Sequence, residues 1–195
     1  MSDAVPTGPL IVGLGGSTGT SSGTGRLLHE CLRMAEERGA RTVAFDGSQL
    51  AELPIFGAGD PPADTGAGTL IEAVRRADAV VIATPGYHGS MSGLVKNAID
   101  HLEALREDAR PYLDGRAVGV IVSAAGWQAC GTTVVSVRST IHALRGWPTP
   151  FGVTVNSAVQ KPDAAGRFDE TVEGALDILA GQVVDFASWQ VAARS

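Results

Sequence analysis

Two short stretches hold most of the residues that could do chemistry. The first, Gly15-Gly16-Ser17-Thr18-Gly19-Thr20-Ser21-Ser22-Gly23-Thr24, joins an apolar run to a helical pattern. Small residues let a backbone fold tightly around an anion, with main-chain N–H groups and hydroxyls as donors. The start of a helix adds about half a positive charge. A phosphate site here therefore needs neither Lys nor Arg. Ser17, Ser22 and Thr24 are its expected donors, with Thr18 and Gly23 beside them. A P-loop would end in Gly-Lys-Ser/Thr, whereas this loop ends in Thr24-Gly25-Arg26. A dinucleotide fingerprint starting at Gly13-Leu14-Gly15 has Thr18 rather than glycine at its sixth position, although Asp46 could imitate its ribose-binding acid. A solvated Ser/Gly turn is the plainer alternative.

The second stretch is Thr84-Pro85-Gly86-Tyr87-His88-Gly89-Ser90-Met91-Ser92-Gly93. It suits a planar ring: Pro85 fixes one turn, the glycines expose main-chain polar groups, and Tyr87 offers an aromatic surface. His88 reads either as a proton donor or as a polar wall residue. A nucleophile elbow, GxSxG, is excluded because Met91 occupies the central position between Gly89 and Gly93. Cys31 and Cys130 form no CxxC and no zinc pattern. No metal is expected, and no side chain is assigned as catalytic.

The elements that must position these loops read as short apolar strands, as a parallel sheet covered on both faces requires. They fall at Leu10–Gly15, Thr42–Phe45, Ala79–Ala83, Ala117–Val122 and Phe151–Val155, the last an edge strand after Pro150. Between them lie helical stripes. Leu27, Leu28, Cys31, Leu32 and Ala35 form the first, stopped at Gly39, and Leu70, Ile71, Val74 and Ala77 the second. Leu94, Val95, Ala98, Ile99, Leu102 and Leu105 form the third, and Val134, Val137, Ile141 and Leu144 the fourth. Val172, Leu176, Leu179, Val183 and Phe186 form the last. Alternation of this kind predicts a single α/β domain over residues 1–195, a doubly wound five-stranded parallel sheet in the order 2-1-3-4-5. Strands one and three are then neighbours whose helices leave on opposite faces, and both unusual loops meet at that switch point. Ala51–Gly68 reads as a long loop with a function or a partner contact.

Composition narrows the field. A chain of 195 residues with 44% apolar content can bury roughly 70% of its unfolded surface without a disulfide or metal. The net charge of −6, without a Lys/Arg block, argues against nucleic acid or an anionic membrane as partner. The longest apolar runs are too short to span a bilayer. MSDAVPTGPL lacks the features of a signal peptide. A reduced cytoplasmic protein is expected.

Pro85-Gly86-Tyr87-His88-Gly89-Ser90, continued by Gly93-Leu94-Val95-Lys96-Asn97-Ala98-Ile99-Asp100, resembles the hallmark of the NAD(P)H-dependent FMN reductase family, whose relatives include quinone, azo and chromate reductases. The likeness covers most of residues 10–155. Gly16, Ser17, Ser22 and Thr24 resemble its phosphate loop, Leu53-Pro54 its Leu-Pro loop, and Ser123-Ala124-Ala125-Gly126 its third flavin-contacting turn. Three departures stand out: Gly19 where the family often has Arg, His88 where it often has Asn, and Trp127 where it often has glycine. Trp127 reads equally as a cover for the flavin or as a partner contact.

The resemblance implies a flavodoxin-like fold and hydride transfer from NADPH or NADH to FMN. The loop after strand three would line the isoalloxazine edge, with Ala125 and Gly126 near its pyrimidine. Electrons would pass to a small-molecule acceptor or to a partner monooxygenase. An FMN-containing quinone, azo or chromate reductase is the nearest alternative, and a flavodoxin-type carrier the non-enzymatic one. Helix three is broad in apolar surface, with Val95 and Ile99 widening its stripe. Ile55 and Phe56 add apolar groups to the Ala51–Gly68 loop. Together with the family's pairing through the helices after strands three and four, this leads us to expect a homodimer or homotetramer.

Overall fold

The computed structural model describes residues 8–19, 22–57 and 61–194. Strand β1 (Leu10–Gly15) is buried along its whole length, as the continuous apolar run requires. Helix α1 (Gly23–Glu37) begins at Ser22, whose hydroxyl accepts from the Gly25 N–H, and ends just before Gly39, which has a φ of +86°. Strand β2 (Arg41–Phe45) leads into a one-turn helix, α2 (Gly47–Ala51), opened by a bond from the Asp46 N–H to the Gln49 side chain. Helix α3 (Gly66–Arg76) is capped by Thr65, and β3 (Ala79–Pro85) follows it. Helix α4 (Gly93–Asp100) is capped by Ser92 and runs into a 3-10 turn at His101–Leu105. The remaining elements are β4 (Ala117–Ala124), α5 (Trp127–Ala143), β5 (Trp147–Pro148), β6 (Val153–Asn156) and α6 (Glu170–Arg194).

The strands are parallel in the order β2-β1-β3-β4-β5, with β6 also paired to β4. The expected order therefore holds, but the fifth position is shared by two short strands. Between them the chain carries Thr149, Pro150, Phe151 and Gly152. Pro150 has no N–H to give the ladder, so pairing on β4 lapses after the Thr149 bond to Val118 and resumes at Val153.

Two apolar layers cover the sheet. One joins α1 and α6 to Ile11, Val81, Ile121 and Val155, and the other joins α3, α4 and α5 to Val12, Ile82, Val120 and Val122. Successive residues of β4 thus feed opposite cores, as the alternation of side chains in a strand demands. The helices after β1 and β3 lie on different faces, which makes the β1/β3 boundary the switch point.

Three details differ from the sequence reading. Helix α2 lies at the edge of the stretch expected as loop, because Asp46 and Gln49 open a turn there that apolar periodicity cannot reveal. The third helix tightens into a 3-10 turn at His101. Finally, Val95 and Ile99 face the chain's own core, while Leu94 is only half-buried. The broad apolar surface of α4 is therefore used within this chain, and Val95 and Ile99 give no ground for a partner.

Candidate active site

The loops after β1, β3 and β4 all leave the carboxyl edge of the sheet, on adjacent strands. The first is held by close backbone approach on both sides. A Cβ at Gly16 would stand 2.6 Å from Val95 Cγ2 and 2.7 Å from the Ser92 hydroxyl, and one at Gly47 would stand 2.0 Å from the Ser17 carbonyl oxygen. Gly16 also donates its N–H to the Ala83 carbonyl at 2.8 Å, tying the loop to β3. Glycine at these two positions is thus a packing requirement, and it fixes where Ser17 sits.

Ser17 is half-buried and Thr18 exposed at the mouth of this loop, while Thr24 is buried in the first turn of α1. The Ser22 N–H is already taken by the Gly19 carbonyl at 2.9 Å, and its hydroxyl oxygen accepts from Gly25. Ser22 therefore has only its hydroxyl proton left to give outward. Thr20 and Ser21 lie outside the described residues.

The second loop is a two-bond turn. The Tyr87 N–H donates to the Ser90 carbonyl at 2.9 Å and the Ser90 N–H returns the bond at 3.0 Å. His88 and Gly89 between them have φ of 52° and 81°, the pair of positive values that a type I′ turn demands. Histidine and asparagine are among the non-glycine residues that tolerate this region best, which gives a backbone reason for either at position 88. Pro85 is not a turn residue as expected. It ends β3 opposite Ser123, and the Gly86 N–H extends the ladder to the Ser123 carbonyl at 2.8 Å. Ser90 is drawn toward α5, its hydroxyl 3.1 Å from that of Ser136. Tyr87 stands 57% exposed and His88 is exposed beside it.

In the third loop Ala125 is exposed and Gly126 is extended at the start of α5, where an added Cβ would meet nothing within 4 Å beyond its own chain neighbours. Trp127 projects 55% exposed next to it.

Two clefts border the first loop. One of about 930 Å³ runs over the outer face of α1, from Ser17, Thr18 and Ser22 past Arg26 and His29 to Asp46. The other, about 400 Å³, lies in the switch-point crevice and brings Ser17 and Thr18 together with Tyr87, Leu53, Ile55 and Leu94. Pro85, Gly86, His88, Gly89, Ser90, Ala125 and Gly126 line neither. Gly23 and Thr24 also stand behind the cleft walls rather than in them. Sequence reasoning missed Asn97 and Leu50 as crevice residues, although Asn97 lies inside the quoted stretch that follows Gly93. Among the described residues, no group of three or more His, Cys, Asp or Glu side chains could hold a metal ion.

The model of the NADPH-dependent FMN reductase family matches residues 9–160. The chain belongs to that family. Among NADPH-dependent FMN reductase relatives, an NAD(P)H-dependent FMN reductase of Pseudomonas aeruginosa is 30% identical over 80% of this chain and 83% of its own. An FMN-dependent NADPH-azoreductase of Staphylococcus haemolyticus is 29% identical over 71% and 76%. The fold has solved counterparts. An apo NADH:FMN oxidoreductase superposes with a TM-score of 0.72 at 19% identity, covering 93% of this chain and 89% of that one. A flavoenzyme NAD(P)H:(acceptor) oxidoreductase of Paracoccus denitrificans gives 0.69 at 21%, covering 93% and 98%. These likenesses identify the sheet and its helices as flavodoxin-like.

Proposed function

We propose that this FMN reductase family member binds FMN at the switch-point loops and reduces it with NADPH or NADH, residues 1–195 acting as one FMN-binding domain. The observation that carries the reading is the first loop, glycine-locked against α2 and α4 with its hydroxyls at the start of a helix. These residues fit a phosphate monoester. A site built of N–H and hydroxyl donors holds an anion without a cation, and the close seats of Gly16 and Gly47 leave no room for the loop to relax.

In this reading Ser17, Thr18, Ser22, Gly23 and Thr24 hold the phosphate. Pro85, Gly86, Tyr87, His88, Gly89 and Ser90 form the frame at the ring edge. Ala125 and Gly126 let main-chain N–H groups approach the pyrimidine. Bound FMN supplies the hydride chemistry, so the protein has to bind, orient and exclude water. No side-chain acid or base is invoked, and no metal.

A second reading, in which FMN stays bound and an azo compound or another small molecule is the true acceptor, is favoured by the azoreductase relative. Delivery of reduced flavin to a partner monooxygenase belongs to the first. Two buried, unpaired cysteines suit the reducing cytoplasm, and among the described residues no helix is long and apolar enough to cross a membrane. A homodimer or homotetramer is supported by the exposed α5 stripe, where Trp127 and Val135 (68% exposed) stand two turns apart with Gly131 between them.

The test is optical. Purified protein loaded with FMN should lose its flavin absorbance on adding NADPH or NADH under argon. Flavin that stays oxidised with both would leave a carrier in place of an enzyme.

A further inference from the structure

The segment Leu53 to Phe56 is clamped to α4 from two positions. Asn97 accepts the Phe56 N–H at 2.8 Å through Oδ1 and donates through Nδ2 to the Pro54 carbonyl at 3.0 Å. His101, buried at the end of α4, donates Nε2–H to the same carbonyl, also at 3.0 Å. Phe56 stands edge-on to the His101 ring, with centroids 5.6 Å apart at 86°.

A carbonyl taking two side-chain donors, beside a backbone N–H bound to one of them, makes a stiff joint. Its effect is on the residue between the anchors. Ile55 is held 87% exposed while its neighbour Leu53 goes into the core. A large aliphatic side chain fixed in water by bonds on both sides is not explained by the chain's own packing. Its place explains it better: Ile55 lines the switch-point crevice with Tyr87 and Leu94.

We propose that Asn97 and His101 are positioning residues that hold Ile55 as an apolar wall of this crevice, against which a flat, conjugated electron acceptor packs. The inference rests on the flavin-reductase reading and deepens it. An aliphatic wall and an aromatic one sort acceptors by shape and area rather than by hydrogen bonds, so the crevice prefers planar conjugated rings to small polar oxidants.

Two measurements that need no turnover test it. The first is titration of oxidised, FMN-loaded protein with 2-methyl-1,4-naphthoquinone. The second is hydrogen exchange at the Phe56 amide. Ile55→Ala, at a surface position with no core to disturb, should weaken naphthoquinone binding about tenfold, the loss expected for an apolar contact of this size, and leave Phe56 exchange unchanged. Asn97→Ala should weaken it comparably and speed Phe56 exchange. Asn97→Asp keeps the acceptor for the Phe56 N–H but sets a carboxylate oxygen against the Pro54 carbonyl, so it should restore that protection only in part. In turnover, KM for the quinone should rise in Ile55→Ala and Asn97→Ala by more than kcat falls. Wild-type quinone affinity in Ile55→Ala, or unaltered Phe56 exchange in Asn97→Ala, would overturn the proposal. Failure of the wild type to reduce FMN is a different result, since titration and exchange decide the clamp without it.

Discussion

At the scale of single residues, the phosphate loop is built from groups whose values differ. Ser17 is half-exposed at the junction of both clefts, whereas Thr24 is buried and Ser22 already caps α1. Ser17→Ala should therefore weaken FMN binding by about 1.5–3 kcal/mol, the range for a hydrogen bond to a charged group. Ser22→Ala should lower both FMN affinity and helix stability, because one oxygen serves as cap and one proton as donor. Equilibrium titration of FMN beside urea unfolding separates the two effects; a Ser17→Ala protein with unaltered FMN affinity would remove Ser17 from the phosphate site. The turn after β3 gives a second check. Gly89, at a φ of 81°, should lose about 1–2 kcal/mol on Gly89→Ala, while His88→Asn should be tolerated or slightly stabilising, as judged by urea midpoints. The hydroxyl-rich loop was legible from residue types alone. That Pro85 belongs to the ladder and Ser90 to α5 was not, because both depend on partners some forty residues downstream, Ser123 and Ser136.

At the scale of elements, the edge of the sheet opposite the loops is tied by one buried guanidinium. Arg116 donates to the Arg75, Ala77, Tyr112 and Asp114 carbonyls at 2.8–3.3 Å. It thereby closes the C-terminus of α3 and joins it to the turn before β4. Burial, with Arg110 and Arg194 nearby, pulls its pKa down to about 10, so it remains charged at neutral pH. Arg116→Met would take the guanidinium from the Arg75 and Tyr112 carbonyls, while those of Ala77 and Asp114 keep Arg110, and should destabilise the fold by about 3 kcal/mol. Arg116→Lys should recover little, since one ammonium cannot match the fork. Urea unfolding with an unchanged m-value checks both. Sequence periodicity found α1, α3, α4, α5 and α6 because each has an apolar stripe. It could not assign Arg116, since a lone arginine before a strand reads as surface until the strand's neighbours are known.

At the scale of the whole molecule, two features make measurable demands. Cys31 lies fully buried between α1 and α6, and burial pushes its thiol from 9.0 to about 12, outweighing Arg38. Above pH 9 the unfolded chain releases this proton while the folded one keeps it. Stability should therefore fall as pH rises through that range, by about 1.4 kcal/mol per unit from this group. Comparing wild type with Cys31→Ala between pH 8 and 10 isolates the slope, and native protein should not react with thiol reagents at neutral pH. The exposed Trp127–Val135 stripe on α5 predicts self-association. Sedimentation equilibrium at micromolar concentration should give a dimer or tetramer, and Val135→Glu should shift it toward monomer without changing the helix content.

The sequence by itself determined the order of the strands and which two loops meet at the switch point. Short continuous apolar runs between turn residues suit strands covered on both faces, right-handed crossovers leave few arrangements, and in the order 2-1-3-4-5 the small-residue loops after β1 and β3 meet where the arrangement reverses. The tertiary structure alone decided which polar groups are free. Ser92 is spent on a cap, Ser22 keeps only its hydroxyl proton beside its cap, Ser90 turns to α5, and Asn97 and His101 hold the Pro54 carbonyl. It also decided that Val95 and Ile99 serve the core while Ile55 does not. Apolar periodicity has a range of a few residues, but a hydrogen bond is committed by whatever the fold brings to within 3 Å of it, and those partners lie up to 47 positions away.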